Sequence, residues 1–339
     1  MAGELPVVHL LTRGNYSAQA EIVEPGAFSV LSDEANPYAV KSTPASGRSS
    51  GRRLAWAEWI THRDSKAAAL MARVQVNRLW QQYFGKGIVT TPENFGISGA
   101  PPSHPELLDW LASELIRSGW NMKAIHRLVL NSATYRRSSQ LQEEAFETDQ
   151  SNRLLWRFAP RRLDAEAIRD QMLATSGELS SNLGGPAIAT KRLESGEVMA
   201  PEDSLDADRR SLYLNQKRTQ AVSFLTVFDA PSIVFNSVRR NTSTMSLQSL
   251  TLLNSDFSVR RAKATASRLQ GLTLDDHKRL RLAFQLFYCR EPNDTELTES
   301  MRFLDEQSQF YSARPDARDQ AWRDLCQSLM ASSEFLYVE

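Results

Sequence analysis

The stretch LMARVQVNRLWQQYFG constrains the fold more than any other part of the chain. It places Val76, Leu79, Trp80 and Tyr83 at i, i+3, i+4 and i+7, with Gly85 just beyond. That spacing puts four large apolar side chains on one face of an α-helix, and the glycine ends it. The same grammar recurs. Leu107, Leu108, Leu111 and Leu115 form a stripe closed by Gly119. Met122, Ile125, Leu128 and Val129 form a second behind the cap residue Asn121. Asp164 is an N-cap for a helix that turns Ile168 and Met172 inward and stops at Gly177. Further stripes follow at Leu247, Leu250 and Leu253, then from Asp256 to Leu269. Others lie at Leu280, Phe284 and Phe287, and at Trp322, Leu325, Cys326 and Leu329. Pro292-Asn293-Asp294 separates two of them. A chain written this way is mainly α: a multi-helix domain over residues 51–339 with a few short strands. Short β segments are expected at VVHLL and AEIVEPG near the start and at RRSLYLNQKR, with Leu212 and Leu214 opposing Tyr213. Residues 1–50, rich in Gly, Pro, Ser and Ala, read as an extended N-terminal arm and linker.

Charge narrows the function. Forty basic residues balance forty acidic ones, and a dedicated nucleic-acid binder carries a basic excess, so a nucleic-acid partner is not expected. Of the basic residues, 32 are Arg and only 8 Lys, with Arg pairs at 52–53, 136–137, 161–162, 209–210, 239–240 and 260–261. Guanidinium favours fixed bidentate pairing with carboxylates. The two cysteines, Cys289 and Cys326, both lie in apolar helical contexts and are expected as buried thiols. No C-x-x-C occurs, so there is no haem-attachment motif and no cofactor is expected. No apolar run of about 18 residues is present, so no membrane span is expected. The first residues lack the pattern of a secretory signal.

Familiar catalytic motifs are absent: no P-loop, no G-x-G-x-x-G after a strand, no G-x-S-x-G, no H-E-x-x-H. The five histidines share no ligand spacing. His126 on a helical stripe reads as a half-buried, hydrogen-bonded residue. Trp56 and Trp59, three apart, read as core packing, with a sugar-stacking platform as the alternative. In PPSHPELLDWL, Ser103 and Glu106 have the S-x-x-E spacing of a capping box, and Pro105 suits a first helical turn. His104 and Asp109 are surplus to that cap. Glu166 and Asp170, at i and i+4, share a helix face with Arg162 and Arg169. Two such carboxylates serve acid–base work or a metal, or else anchor a lattice of Arg–carboxylate pairs. The candidate pocket therefore draws on Arg78, His104, Asp109, Arg162, Glu166, Arg169, Asp170, Arg210 and Tyr213.

Three long motifs carry a resemblance. RLAWAEWIT, ARVQVNRLWQQYFGKGIVTTPENFG and PSHPELLDWLASELIRSGWNMKAIHRLVLNSATYRRSS together resemble the bacterial domain of unknown function 1553, the C-terminal domain of large planctomycete-type proteins. RRLDAEAIRDQMLATSGEL, GGP, FDAP, RRNTSTMSLQSLTLLNSDF and SSEFLYVE agree with it. One segment departs: RDSKAAAL stands where the family tends to have Asn-Pro. The resemblance implies no activity. It does imply an exported precursor in which this domain follows a second uncharacterised domain, often with a cytochrome module. Two functional readings stay open. One is a non-catalytic extracytoplasmic binding or assembly module docked on the partner domain or holding a polysaccharide-type ligand. The other is an enzyme, hydrolytic or redox-coupled, built on an Arg/carboxylate pocket.

Overall fold

The computed structural model describes residues 7–32, 36–40, 50–201 and 206–338. Much of the segment read as a flexible linker lies outside them. The described chain is mainly α, as its periodicity requires, with only short two-stranded sheets. It divides into two compact units, Met1–Ala159 and Pro160–Glu339.

The first unit opens with an antiparallel hairpin of β1 (His9–Leu11) and β2 (Gln19–Ile22). Five helices follow: α1 (Arg52–Thr61), α2 (Lys66–Phe84), α3 (Pro105–Arg117), α4 (Met122–Leu130) and α5 (Glu143–Thr148). α2 begins where the Ser65 hydroxyl accepts from Ala68 N at 3.1 Å and ends at Gly85, whose φ of 76° an L side chain rarely adopts. Its apolar face buries Val76, Leu79 and Trp80 against Leu108, Leu111 and Leu115 of α3. Asn77, fully buried in that face, donates to Val89 O at 3.0 Å and accepts from Val89 N at 2.8 Å. One amide thus satisfies both backbone groups of the loop that returns to α3. A Cβ on Gly87 would sit 2.6 Å from Val89 O, so this close approach requires glycine.

The capping box expected at Ser103 and Glu106 does not form. His104 is the N-cap, it makes no side-chain cap bond, and the Ser103 hydroxyl pairs instead with His104 Nδ1 at 2.9 Å. Pro105 at N1 needs no intrahelical partner, which explains why the helix starts there without the box. At the other end, Gly119 N donates to Ile116 O at 3.0 Å and Trp120 N to Leu115 O at 2.8 Å. This paired closure satisfies the last carbonyls. Asn121 caps α4 as expected, accepting from Ala124 N. Ile125 and Val129 are buried, whereas Leu128 faces solvent.

In the second unit, β3 (Arg161–Arg162) pairs antiparallel with β6 (Tyr337–Val338) and ties the start of the unit to its end. Between them lie α6 (Ala165–Ser176), the hairpin of β4 (Lys191–Arg192) and β5 (Val198–Met199), α7 (Ser223–Val227) and α8 (Ser246–Asn254). The last five helices are α9 (Asp256–Leu272), α10 (Asp276–Tyr288), α11 (Asp294–Phe310), α12 (Ala317–Met330) and α13 (Ser333–Leu336). The core is centred on Trp322, Cys326, Leu280, Phe284 and Phe287, as their stripes require, with Ile168 and Met172 of α6 joining it. Asn293 and Glu296 form a reciprocal capping box at the start of α11.

Three expectations are corrected here. RRSLYL is not a strand: Ser211–Tyr213 is a single 3-10 turn, with Leu214 buried and Leu212 exposed. Side-chain bonds from Asp170 to Ser211 hold the turn, and they break the alternation a strand would need. The stripe of Leu247, Leu250 and Leu253 faces outward, each side chain being about half exposed, while Gln248 and Leu252 turn inward. Gln248 takes the inner position because its amide donates to Val227 O at 3.0 Å. Cys326 is buried, and burial pushes its thiol up to about 12. Cys289 is exposed in the left-handed residue that ends α10, beyond the reach of the core.

Candidate functional site

The sequence candidates of the second unit cluster around α6. Its start is set by Asp164 in extended conformation and its end by Gly177 at φ 80°. Its inner face fixes the rotation, so Glu166 and Asp170 lie on the flank, one turn apart. Each carboxylate is already engaged. Glu166 is gripped by both Nη atoms of Arg240, at 2.6 and 3.2 Å. Burial alone would raise its pKa; the Arg240 hydrogen bond, a backbone N–H and the Arg240 charge together outweigh burial and hold it below the ordinary value. Asp170 Oδ1 accepts from Ser211 N and Ser211 Oγ, both at 2.7 Å, and Arg210 Nε stands 3.5 Å from Oδ2. Tyr213 accepts from Gly184 N at 3.0 Å, and its ring lies under the Arg209 guanidinium at 3.9 Å. Asp170, Arg210 and Tyr213 thus converge on the 209–213 turn, and Arg169 reaches it from below.

Arg162 takes part in a different constellation. Its Nη2 donates to Asp229 Oδ2 at 2.6 Å and to Phe228 O at 3.1 Å, and its Nη1 donates to Ser243 O at 2.5 Å. Asp229 also accepts from Ser243 N at 2.7 Å and from the Ser243 hydroxyl. Burial would raise the Asp229 carboxyl; the Arg162 and Ser243 bonds win and hold it low. Asp229 sits at φ 64°, a left-handed conformation that aspartate tolerates better than most residues. Together with Arg240 on Glu166, this network pins both ends of the 231–245 excursion. Neither Asp229 nor Ser243 stands out in sequence; the only signal is an Asp directly before Ala-Pro, a turn-forming context.

Arg169 is buried and points its Nη atoms at neutral acceptors: Ala207 O at 2.8 Å, Arg209 O at 3.1 Å and Ser211 Oγ at 3.3 Å. Its nearest carboxylate oxygen, on Asp170, is 3.9 Å away. Burial pushes this guanidinium down to about 10, and it remains a cation at neutral pH. It borders a cavity of about 80 Å³ between β5, α7 and α9. Phe257 lines the same cavity with the Arg169 and Arg261 guanidinium groups each 5.3 Å from its ring centre. Arg261 Nη1 bridges Glu178 at 2.9 Å and Asp208 at 3.0 Å. Sequence reasoning selected Arg169 but missed Phe257, Asp208 and Arg261. The 260–261 pair was the visible signal, in phase with the buried face of α9.

The candidates in the first unit do not form a joint site. Arg78 is exposed on α2. Asp109 accepts from Arg73 Nε at 2.7 Å on an open surface. His104 is occupied by Ser103. His126 is half-buried and hydrogen-bonded to the Tyr83 hydroxyl at 2.5 Å, matching the bland expectation for it. Trp59 is buried and Trp56 is partly exposed, with ring centres 5.1 Å apart; Phe28 meets Trp56 edge-on. Among the described residues, no group of three His, Cys, Asp or Glu side chains is placed to hold a metal, and no helix is long and apolar enough to cross a membrane.

Comparison with curated proteins and with solved structures finds no match to either. A family model does match, that of PSD1, proteins of unknown function (DUF1553), over residues 52–304. The match runs from the first residue of α1 into α11, across both units, and the chain belongs to that family.

Proposed function

We propose that this chain is a non-catalytic binding or assembly module that docks on a partner domain. The observation that carries the reading is an exposed apolar ridge on a clamped support. Leu247, Leu250 and Leu253 stand out along α8. The adjoining excursion adds Ile233, Phe235 and Met245, with Phe235 78% exposed. Soluble proteins seldom leave so many neighbouring large apolar side chains in water without a use for them. The Arg162–Asp229–Ser243 and Arg240–Glu166 bonds fix the base of this excursion, so docking there would cost little ordering entropy. The carboxylates best placed for acid–base work, Glu166 and Asp170, are engaged in that framework, which speaks for structure over chemistry.

The partner in this reading is an upstream uncharacterised domain or cytochrome module, and the setting is extracytoplasmic. Both rest on the domain company that the sequence resemblance implies. A polysaccharide-type ligand is the second arm. It is favoured by the exposed aromatic edge of Trp56 and Phe28. No cofactor of its own is assigned to the module.

The test is calorimetric titration of this chain against the domain encoded immediately upstream of it. Binding that Leu250→Asp weakens at least tenfold, with Leu54→Asp on exposed α1 as the neutral control, supports the reading. Equal binding by both variants, or heat of reaction only with a chromogenic glycoside or ester substrate, overturns it.

A further inference from the structure

We infer that the cavity between β5, α7 and α9 is a binding site for a small carboxylate carrying a short apolar tail. The site is lined by different residues from the α8 ridge and stands or falls separately from the docking reading.

Three observations meet there. First, Arg169 is a buried cation whose hydrogen bonds go to two carbonyls and a hydroxyl, and among the described residues no carboxylate oxygen lies within 3.5 Å of it. Its ion pair to Asp170 is long, at 3.9 Å, so the buried guanidinium keeps a positive potential that attracts an anion able to reach it. Second, Arg261 lines the same cavity with 8% exposure, and its Nε–H has no acceptor among the described residues. Only its Nη1 is committed, to Glu178 and Asp208. A guanidinium fork with an orphaned buried donor is suited to a carboxylate, which offers two acceptors in the matching plane. Third, much of the remaining wall is apolar, with Val198, Met199, Val222, Phe224 and Phe257, while Glu197, Asp208 and Arg260 also line it. The apolar part of the wall favours a hydrocarbon tail, and the Glu197 and Asp208 carboxylates disfavour a multiply charged phosphate, so a monocarboxylate with a short tail fits best. The volume, about 80 Å³, holds a ligand of a handful of heavy atoms.

Asp208 gives the site a built-in competitor. Its carboxylate occupies Arg261 Nη1 at 3.0 Å while being itself half exposed. An entering anion would share Arg261 with it, so removing that charge is expected to tighten binding. A purely structural role for these residues makes the opposite forecast, because Asp208→Asn would then only weaken the fold.

The experiment is thermal-shift and calorimetric titration of the whole chain with propionate, propionamide and inorganic phosphate at fixed ionic strength. A saturable stabilisation by propionate is expected, absent with propionamide and weaker with phosphate. Arg261→Gln should weaken propionate at least tenfold, and Asp208→Asn should strengthen it several-fold. Because Arg261→Gln removes ion pairs to Glu178 and Asp208, Ala200→Met provides the second variant. Ala200 lines the cavity without charge, so filling it should abolish propionate binding while circular dichroism stays native. No saturable shift up to tens of millimolar overturns the inference. So does equal binding of acid and amide, phosphate binding more tightly than propionate, or undiminished propionate binding by a folded Ala200→Met.

Discussion

The two units bury their polar groups differently. In the first, the buried polar side chains among the described residues are the neutral Asn36, Ser65 and Asn77, and the core is aliphatic with an aromatic chain from Phe84 through Tyr135 to Phe158. In the second, Arg169, Arg209, Arg261 and Arg279 are all less than a tenth exposed. Each lies over an aromatic ring, on Phe257, Tyr213, Phe257 and Trp322 respectively. Burying a cation costs free energy that an apolar side chain of similar size would not. The first unit is therefore held by volume and shape. The second is held by specified pairings, and it carries the Arg169–Arg261 cavity and the clamped apolar ridge. The lesson is that where charge is buried in quantity, position is being specified, and position is what a binding surface needs.

This comparison can be broken in graded steps. The largest effect is expected from Asp229→Ala, which strands the nearly buried Arg162 guanidinium. Urea unfolding should show a loss of about 3–5 kcal/mol. A loss under about 1 kcal/mol would mean the pairings are ornamental. Leu115→Ala in the first unit should cost about 2–5 kcal/mol, and Leu115→Met under about 1.5, because there volume alone is at stake. Asn77→Ala should fall lower, about 1–3 kcal/mol, by leaving both backbone groups of Val89 unpaired.

Acid sharpens the contrast. Asp229 and Glu166 are held below their ordinary values in the folded state. A depressed folded pKa adds stability that is present above the unfolded value and lost as pH falls through the folded one. Stability should therefore drop below about pH 4, and Asp229→Ala should flatten that acid limb. An unchanged acid limb in the variant would assign the pH dependence elsewhere. The smallest effect is expected from Asp109→Ala, whose partner Arg73 is also exposed: about 0–1 kcal/mol.

The helices were legible in sequence because their information is local. The cap at Asn121, the break at Pro292-Asn293-Asp294, stops at Gly85, Gly119 and Gly177, and the stripes of α2, α3, α10 and α12 all lie within a few residues of what they control. Two of the failures share a cause: a distant partner decided the outcome. Gln248 displaced the leucines of α8 because Val227, 21 residues away, needed a donor. Ser211 left the strand pattern because Asp170 claimed it from 41 residues away. Local spacing suggested Ser103 as a cap, yet the neighbouring His104 ring took its hydroxyl. Of the candidate site, α6 and its arginine and carboxylates were visible. Phe257, Asp208, Asp229 and Ser243 were not, because their pairing exists only in three dimensions.

In the proposed reading, the carboxylates of α6 hold the fold and perform no chemistry. Thermal unfolding of Asp170→Asn, alone and with divalent cations, tests it most directly. The charge is lost, and with it the Oδ2 acceptor that faces Arg210, so the expected result is a melting temperature several degrees lower, for a cost of about 1–3 kcal/mol. Whatever ligand or cation response the wild type shows should be retained. An unchanged melting temperature together with the loss of a ligand- or cation-dependent stabilisation would contradict the claim and make Asp170 a working member of a site.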